Sequence, residues 1–276
     1  MHDKLEMIGS SLIQHGKYND RIYLLDFNPL DLAKLFNRFN ELVKKNNYAK
    51  IVAKVPENYK NNFINKGYIE EAKIPNYYNG EVDLFFLAKY HELERKKEKE
   101  KNKAKQIIQI AKHKRNENSF IIDKTLAYKI LDEKDIGNMI ELYKRVFKTY
   151  PFPIFESDYL KQTMNENIIY FGVFKAGVLI GISACEINYN KSVVEMTDFA
   201  VLKNYRGKQI SLFLLHKMEA YMRKLQIKKA YTMARSLSYG MNIAFSKMGY
   251  NYSGTVINNA NISGAIESLN IWHKDL

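Results

Sequence analysis

The chain has one cysteine, Cys185, among 276 residues. An intrachain disulfide is excluded, and so is a zinc site built on several thiolates. No run of about 18 apolar residues occurs, so no transmembrane helix is expected. The N-terminal Met1-His2-Asp3-Lys4-Leu5-Glu6 lacks the apolar core of a secretory signal. Together these absences lead to the expectation of a cytoplasmic protein. The six histidines show no metal-ligand spacing, so no metal is expected. Proline is scarce, at five residues. Two of the five sit in Tyr150-Pro151-Phe152-Pro153, where a helix has to stop.

Acidic residues are in deficit: 43 Lys/Arg stand against 30 Asp/Glu, a net charge of +13. From Glu92 to Arg115 there are ten Lys/Arg and four Glu, or +6, so almost half the excess lies in one short segment. Within it Glu94-Arg95-Lys96-Lys97-Glu98-Lys99-Glu100-Lys101 has both signs at helical spacing and no core face. It reads as a solvated helix or linker. Few aromatics interleave with these charges, which argues against stacking on single strands. Neither a nucleic-acid partner nor a membrane partner is expected, while an anionic ligand fits the remaining basic balance.

The hydrophobic fraction of 46% suits a chain that buries a sizeable core. Periodicity divides it into an N-terminal half (1–91), the charged segment (92–118) and a larger C-terminal region (119–276). The N-terminal half reads as strand Ile22–Phe27, helix Leu30–Lys45, strand Tyr48–Val55 and helix Glu57–Lys66 stopped by Gly67. Two strands follow, near Tyr68–Ala72 and Val82–Ala88. The C-terminal region reads as helix Asp135–Tyr150, a short helix from Ser157, and strands Ile168–Phe174, Val178–Asn188 and Val193–Leu202. The first two are joined by a Lys175-Ala176-Gly177 turn whose glycine is free to take positive φ. Helix Gly207–Lys224, strand Lys228–Ala234, helix Tyr239–Met248 and strands Tyr250–Ile257 and Ile266–His273 complete it.

The two parts repeat one another. Phe63-Ile64-Asn65-Lys66-Gly67-Tyr68 matches Phe245-Ser246-Lys247-Met248-Gly249-Tyr250 in spacing, and the order of elements over 22–88 agrees with that over 194–273. They differ at one turn. The C-terminal copy carries Arg206-Gly207-Lys208-Gln209-Ile210-Ser211 between strand and helix, where backbone N–H groups and the helix dipole favour a phosphate. The N-terminal copy carries Asn28-Pro29-Leu30-Asp31, a poor anion cradle, and is expected to be structural or substrate-shaping.

The strand–Arg206-Gly207-Lys208-Gln209-Ile210-Ser211–helix unit resembles the acetyl-CoA loop of the GNAT acetyltransferases, Arg/Gln-x-x-Gly-x-Gly/Ala. Gln209 and Ser211 stand where that family has small residues. Asn242-x-x-Phe245-x-x-x-Gly249-Tyr250 resembles the segment that closes the family's cofactor site. Tyr150–Phe155, Ala234–Asn242, Gly254–Asn259 and Asn270-Ile271-Trp272 are similar to the β-lysine N-acetyltransferases, as are Gly67–Glu71 and Tyr77-Tyr78. The resemblance implies an α/β (α+β) GNAT fold, a central mixed sheet flanked by helices, preceded by a smaller GNAT-like half. It also implies transfer of acetyl from acetyl-CoA, as co-substrate, to the N6 amine of β-lysine, making an osmolyte. A homodimer is compatible with it, and a lysine 2,3-aminomutase is implied as pathway neighbour.

On that resemblance Phe199, Ala200, Val201, Arg206 to Ser211, Asn242 and Phe245 would hold the cofactor, with the backbone N–H of Ala200 or Val201 facing the oxyanion. Amine attack on a thioester needs the neutral amine, so a base is required. Glu195, five residues before Ala200, is the candidate; otherwise it is a solvated strand carboxylate. Its face is that of Val193, Thr197 and Phe199, whereas Asp198 faces the other way and would bind the second ammonium or pair with a lysine. The usual tyrosine acid is replaced by Phe245, so Tyr239 or a water serves, or the thiolate leaves unaided. Arg235 would clamp the substrate carboxylate or sit in a surface ion pair, and Glu186 would hold an ammonium. Cys185 is read as a small buried residue rather than a nucleophile. The alternatives are another amine acceptor (a polyamine, an amino sugar or a protein amine) or an acyl-CoA-binding module without turnover.

Overall fold

The computed structural model describes residues 3–115, 123 and 125–276. Among them thirteen strands form one continuous mixed sheet. The N-terminal half contributes β1 (Lys4–Ile8), β2 (Ser11–Gly16), β3 (Arg21–Asp26), β4 (Lys50–Pro56), β5 (Ile69–Tyr78) and β6 (Val82–Tyr90), with helices α1 (Leu32–Asn46) and α2 (Lys60–Ile64). After α3 (Lys101–His113) come β7 (Leu126–Ile130), α4 (Ile136–Val146), α5 (Ser157–Glu166), β8 (Ile168–Lys175), β9 (Val178–Asn188) and β10 (Val193–Val201). The chain ends with α6 (Ile210–Lys224), β11 (Lys229–Arg235), α7 (Tyr239–Lys247), β12 (Asn251–Ile262) and β13 (Ala265–Asp275).

The spatial order is β1-β2-β3-β4-β6-β5-β12-β13-β11-β10-β9-β8-β7. It carries the repeat seen in the sequence. In each half one parallel pair is linked by a crossover helix, β3–α1–β4 and β10–α6–β11, and a second helix then leads into an antiparallel hairpin. The halves meet at equivalent strands, β5 against β12. That seam depends on Gly254, which pairs with Ala72. At Gly254 φ is +141°, and a Cβ there would fall 2.4 Å from the Glu71 carbonyl oxygen, so only glycine fits.

Strand alternation sorts the core. Ile22, Leu24, Ile51, Ala53 and Val55 point to α1 and α2, and Val194, Met196, Ala230 and Ala234 point to the helices of the C-terminal half. The opposite face carries Tyr23, Val52, Ile74, Tyr77, Phe86, Val193, Tyr231, Val256 and Ile271 in one cluster drawn from both halves. The sheet therefore curls until β3 and β5 of the N-terminal half approach β11 and the β9–β10 turn of the other. The Lys191 ammonium lies 2.5 Å from Asp26, the Tyr23 hydroxyl donates to Met233 Sδ at 3.5 Å, and the Tyr77 and Tyr231 rings meet edge to face at 5.6 Å.

A polar clamp ties β12 to the other half. Its pairing with β13 breaks between Val256 and Ala260, and Asn258 takes φ +43°. Three successive carbonyls of this bulge each accept from a different cation. Lys50 Nζ donates to Ile257 O at 2.5 Å, Arg95 Nε to Asn258 O at 2.8 Å and Arg21 Nη1 to Asn259 O at 2.6 Å. Lys50 also pairs with Glu71 at 2.8 Å. Burial pushes the Lys50 ammonium down to about 8 and the Arg21 guanidinium down to about 10.

Several sequence expectations are corrected. The Glu94–Lys101 stretch is mostly exposed, but Arg95 within it is an anchor, and the helix that follows, α3, is not fully solvated: it buries Ala104, Ile107 and Ala111 against α7. The helix expected over 135–150 ends at Val146, because Phe147 is already extended ahead of the two prolines. Strands β1, β2 and β7 are additional, and β5 runs through Pro75. Residues 116–118 of the expected linker and 119–122 and 124 of the expected third region lie outside the described residues. The Gly177 turn has φ +79°, as expected.

Candidate functional site

The site begins where β10 parts from its neighbours. β10 pairs with β11 only over Val193, Val194 and Glu195. On the other side its register with β9 shifts between Thr197 and Ala200, with Asp198 at φ +54°. Beyond Glu195 the two parallel strands diverge, which is the splay the oxyanion reading requires. A cleft of about 660 Å³ occupies the gap. Its walls are Met196–Phe199 and Val201 on β10, Arg206, Gly207 and Gln209–Leu212 at the start of α6, Thr232–Arg235 on β11, and one face of α7.

The α6 end is built for an anion. Gly207 has φ +77° with open space where a Cβ would stand, and Gln209 is left-handed at φ +60°. These turns bring the chain into the helix at Ile210 with the N-terminal amides toward the cleft. Arg206 Nε donates to the Val201 carbonyl at 3.1 Å, which pins the loop to the strand. The donor set and the cleft volume fit a phosphate-bearing co-substrate with a long arm.

Ten of the sequence candidates line this cleft: Asp198, Phe199, Val201, Arg206, Gly207, Gln209, Ile210, Ser211, Arg235 and Phe245. Ala200 is buried between two of them, and Lys208 is exposed on the loop. Asn242 is a correction. Its amide donates to the carbonyls of Arg235 and Ser238, and its oxygen accepts from Asn270 and Trp272. Its amide ties α7 to the end of β11 and its oxygen ties it to β13, and it does not line the cleft. Tyr239, half exposed at the start of α7, also stands off the wall. Phe245 is buried edge to face against Phe199 and Tyr250. The two tyrosines that do line the cleft, Tyr150 and Tyr205, carried no assigned role in the sequence; the Tyr150-Pro151-Phe152-Pro153 motif was the available signal.

Glu195 is the last β11-paired residue of β10, one position before the cleft wall. Its Oε2 accepts from the Tyr231 hydroxyl at 2.7 Å. Burial pushes its carboxyl up to about 7, aided by the like charges of Glu186 and Asp198 and opposed by Lys54 and the Tyr231 hydrogen bond. Glu186 stands directly opposite on β9. It is exposed to solvent, and the protein around it raises its carboxyl pKa. Asp198 accepts from Tyr150 and, at 3.1 Å, from Thr197, and burial pushes its carboxyl up to about 6.

Arg235 lines the cleft but is already engaged, with Nη2 2.6 Å from Glu267 and Nη1 3.3 Å from Ser263 Oγ. Cys185 is buried against Met196, 3.5 Å from its sulfur, and burial raises its thiol well above the ordinary range. Among the described residues no His, Cys, Asp or Glu side chains are grouped to hold a metal ion. Nor is any described helix long and apolar enough to cross a membrane.

Comparison with known proteins gives a consistent picture. The profile of the Acetyltransferase (GNAT) family matches residues 137–250. A β-lysine N(6)-acetyltransferase of Methanococcus maripaludis is 39% identical over 272 residues, covering 99% of this chain and 98% of that one. A β-lysine N(6)-acetyltransferase of Methanosarcina mazei is 30% identical over 83% of this chain and 92% of its own. The N-acetyltransferase YodP of Bacillus subtilis is 28% identical over 97% of this chain and 96% of its own. Among solved structures, a spermidine N-acetyltransferase from Vibrio cholerae matches with a TM-score of 0.48 and 19% identity, over 55% of this chain and 95% of that one.

Proposed function

The chain belongs to the GNAT acetyltransferase family, and from that premise we propose that it transfers acetyl from acetyl-CoA to the N6 amine of β-lysine, with Glu195 as base, forming the osmolyte N6-acetyl-β-lysine. Acetyl transfer from acetyl-CoA to an amine is the activity of the protein; the acceptor and the base are the proposal. The observation that carries it is Glu195, a carboxylate with a pKa of about 7 at the point where β10 and β11 diverge beside the cleft.

The co-substrate supplies a thioester carbonyl. The chain's residues do the rest. The α6 N-terminus, Gly207 and Arg206 hold the pyrophosphate. Glu195 takes a proton from the ammonium, and a pKa near neutrality maximises that exchange. The backbone N–H of Val201, which points away from β9 because its neighbour Leu202 donates to Ile180, faces the developing oxyanion on the edge that β11 leaves unpaired. Tyr205 is a cleft-wall hydroxyl available to protonate the leaving thiolate. The setting proposed is cytoplasmic, downstream of an aminomutase that supplies β-lysine.

A second reading exchanges the carboxylates: Asp198 lines the cleft directly and is raised to about 6. Thiol release from acetyl-CoA by the purified chain tests both points. β-Lysine is expected to outcompete spermidine, amino sugars and a lysine peptide; a preference for any of these removes β-lysine. A larger rate loss in Asp198→Asn than in Glu195→Gln transfers the base to Asp198.

A further inference from the structure

We infer that Lys54, on the N-terminal half, is the binding site for the carboxylate of the acceptor. The inference rests on the reading of the acceptor as an amino acid.

Alternation on β4 places Lys54 on the same face as Val52, the concave face shared by both halves. There its ammonium lies 5.6 Å from the Tyr23 ring centroid. The Tyr23 hydroxyl in turn touches Met233, which lines the cleft. Across the crevice, Glu195 shares this concave face with Val193, and Glu186 lies directly opposite Glu195. Lys54 thus faces the two carboxylates from the other half of the molecule, and its charge favours the ionised form of both.

Three features mark this as a ligand site rather than core. Lys54 and Glu195 keep part of their surface open, and Glu186 is exposed. Lys54 makes no hydrogen bond or ion pair of its own among the described residues, whereas the buried cations Lys50, Arg21 and Arg95 are all committed to the β12 clamp. Arg235, the other candidate for a carboxylate, is held by Glu267. The resulting pattern, one uncommitted cation facing two carboxylates, complements β-lysine, which presents one carboxylate and two ammonium groups at neutral pH. It also accounts for the N-terminal half, which closes the acceptor pocket and reads the acid end of the substrate.

The test compares β-lysine with β-lysine carboxamide, which keeps both amines and loses the negative charge. With full-length protein at saturating acetyl-CoA, wild type is expected to prefer the acid. In Lys54→Met the KM for β-lysine is expected to rise about tenfold to a hundredfold, as loss of a charged hydrogen bond implies. The KM for the carboxamide should stay within about twofold, and the fall in kcat from a Glu195 carboxyl that has lost the Lys54 charge should be the same for acid and amide, so the preference disappears. Lys54→Arg should restore most of it, and unchanged urea midpoints exclude a folding defect. Wild type that treats acid and amide alike, or Lys54→Met that keeps the preference, overturns the inference. If wild type does not acetylate β-lysine at all, that acceptor is wrong, and the same comparison is made with lysine and lysine amide. A preference lost in Lys54→Met there retains the carboxylate site, and a preference kept removes it.

Discussion

Replacing Glu195 by glutamine should slow the enzyme and stabilise the protein, both as functions of pH. The folded carboxyl sits at about 7 against an ordinary 4.5. The folded state therefore binds this proton more tightly than the unfolded chain does. Between pH 4.5 and 7 the unfolded chain is ionised while the folded one keeps its proton, so stability falls as pH rises through that window. A displacement from 4.5 to about 7 corresponds to roughly 3 kcal/mol. Glutamine still accepts from the Tyr231 hydroxyl and never ionises. Its variant should match wild type near pH 4.5 and exceed it by up to roughly 3 kcal/mol above pH 8, read from urea midpoints at pH 5 and 8.5. In the rate assay, wild type has about a tenth of Glu195 ionised at pH 6 and about nine tenths at pH 8. An acid limb centred near 7 should appear in kcat/KM. The variant should lose about 10²–10⁴ in rate at pH 7. It should regain roughly a hundredfold by pH 9, because the neutral fraction of an amine of pKa about 10.4 rises by that factor. A stability gap that is the same at pH 5 and pH 8.5, or a rate loss independent of pH, refutes the argument.

Other expectations follow from the same geometry. Arg206→Ala should raise the KM for acetyl-CoA several-fold and leave that for the amine nearly unchanged, since the side chain pins the α6 loop to Val201; steady-state kinetics with each substrate varied decides it. Gly254→Ala should cost about 2–5 kcal/mol in urea unfolding, because a Cβ would collide with the Glu71 carbonyl in a left-handed backbone. Cys185 should resist iodoacetamide in the native protein and react in 6 M urea (a concentration of roughly that size suffices to unfold domains of this kind); rapid native alkylation would contradict its burial.

Much of the C-terminal half was legible because its elements are long and strongly patterned. The buried strands β8 to β11 and helix α6 read correctly, and the Phe63/Phe245 repeat disclosed the pseudo-symmetry before any strand order was known. Edge strands were less visible. Lys4–Ile8 and Leu126–Ile130 mix charges with apolar residues, since one side meets solvent. Helix α3 was one of two readings of the charged segment, and its core face went unseen because it is only Ala104, Ile107 and Ala111, too narrow to stand out among lysines. For the site, ten of the residues singled out in the sequence line the cleft, and Glu195 stands beside it. The sequence left Arg235 between a substrate clamp and an ion pair, and the ion pair with Glu267 is what forms; it did not foresee that Asn242 would be committed to internal partners, nor that Lys54 would face Glu195. The Asn242 and Arg235 partners lie on other elements up to 32 positions away, and the Lys54 placement depends on how the sheet curls; neither has a local signature.

The grip of Lys50, Arg95 and Arg21 on three successive carbonyls of β12 has a consequence for how the protein can be divided. Pulling the halves apart would take one partner from each of three cations and leave three carbonyls without donors. No partly opened form is cheap, so the chain should melt in a single cooperative transition despite its two repeats. The catalytic half is accordingly not a portable cassette. Expressed from residue 125 onward it would expose the β5-facing edge of β12 with its bulge unsupported, and it would aggregate rather than work as a smaller enzyme.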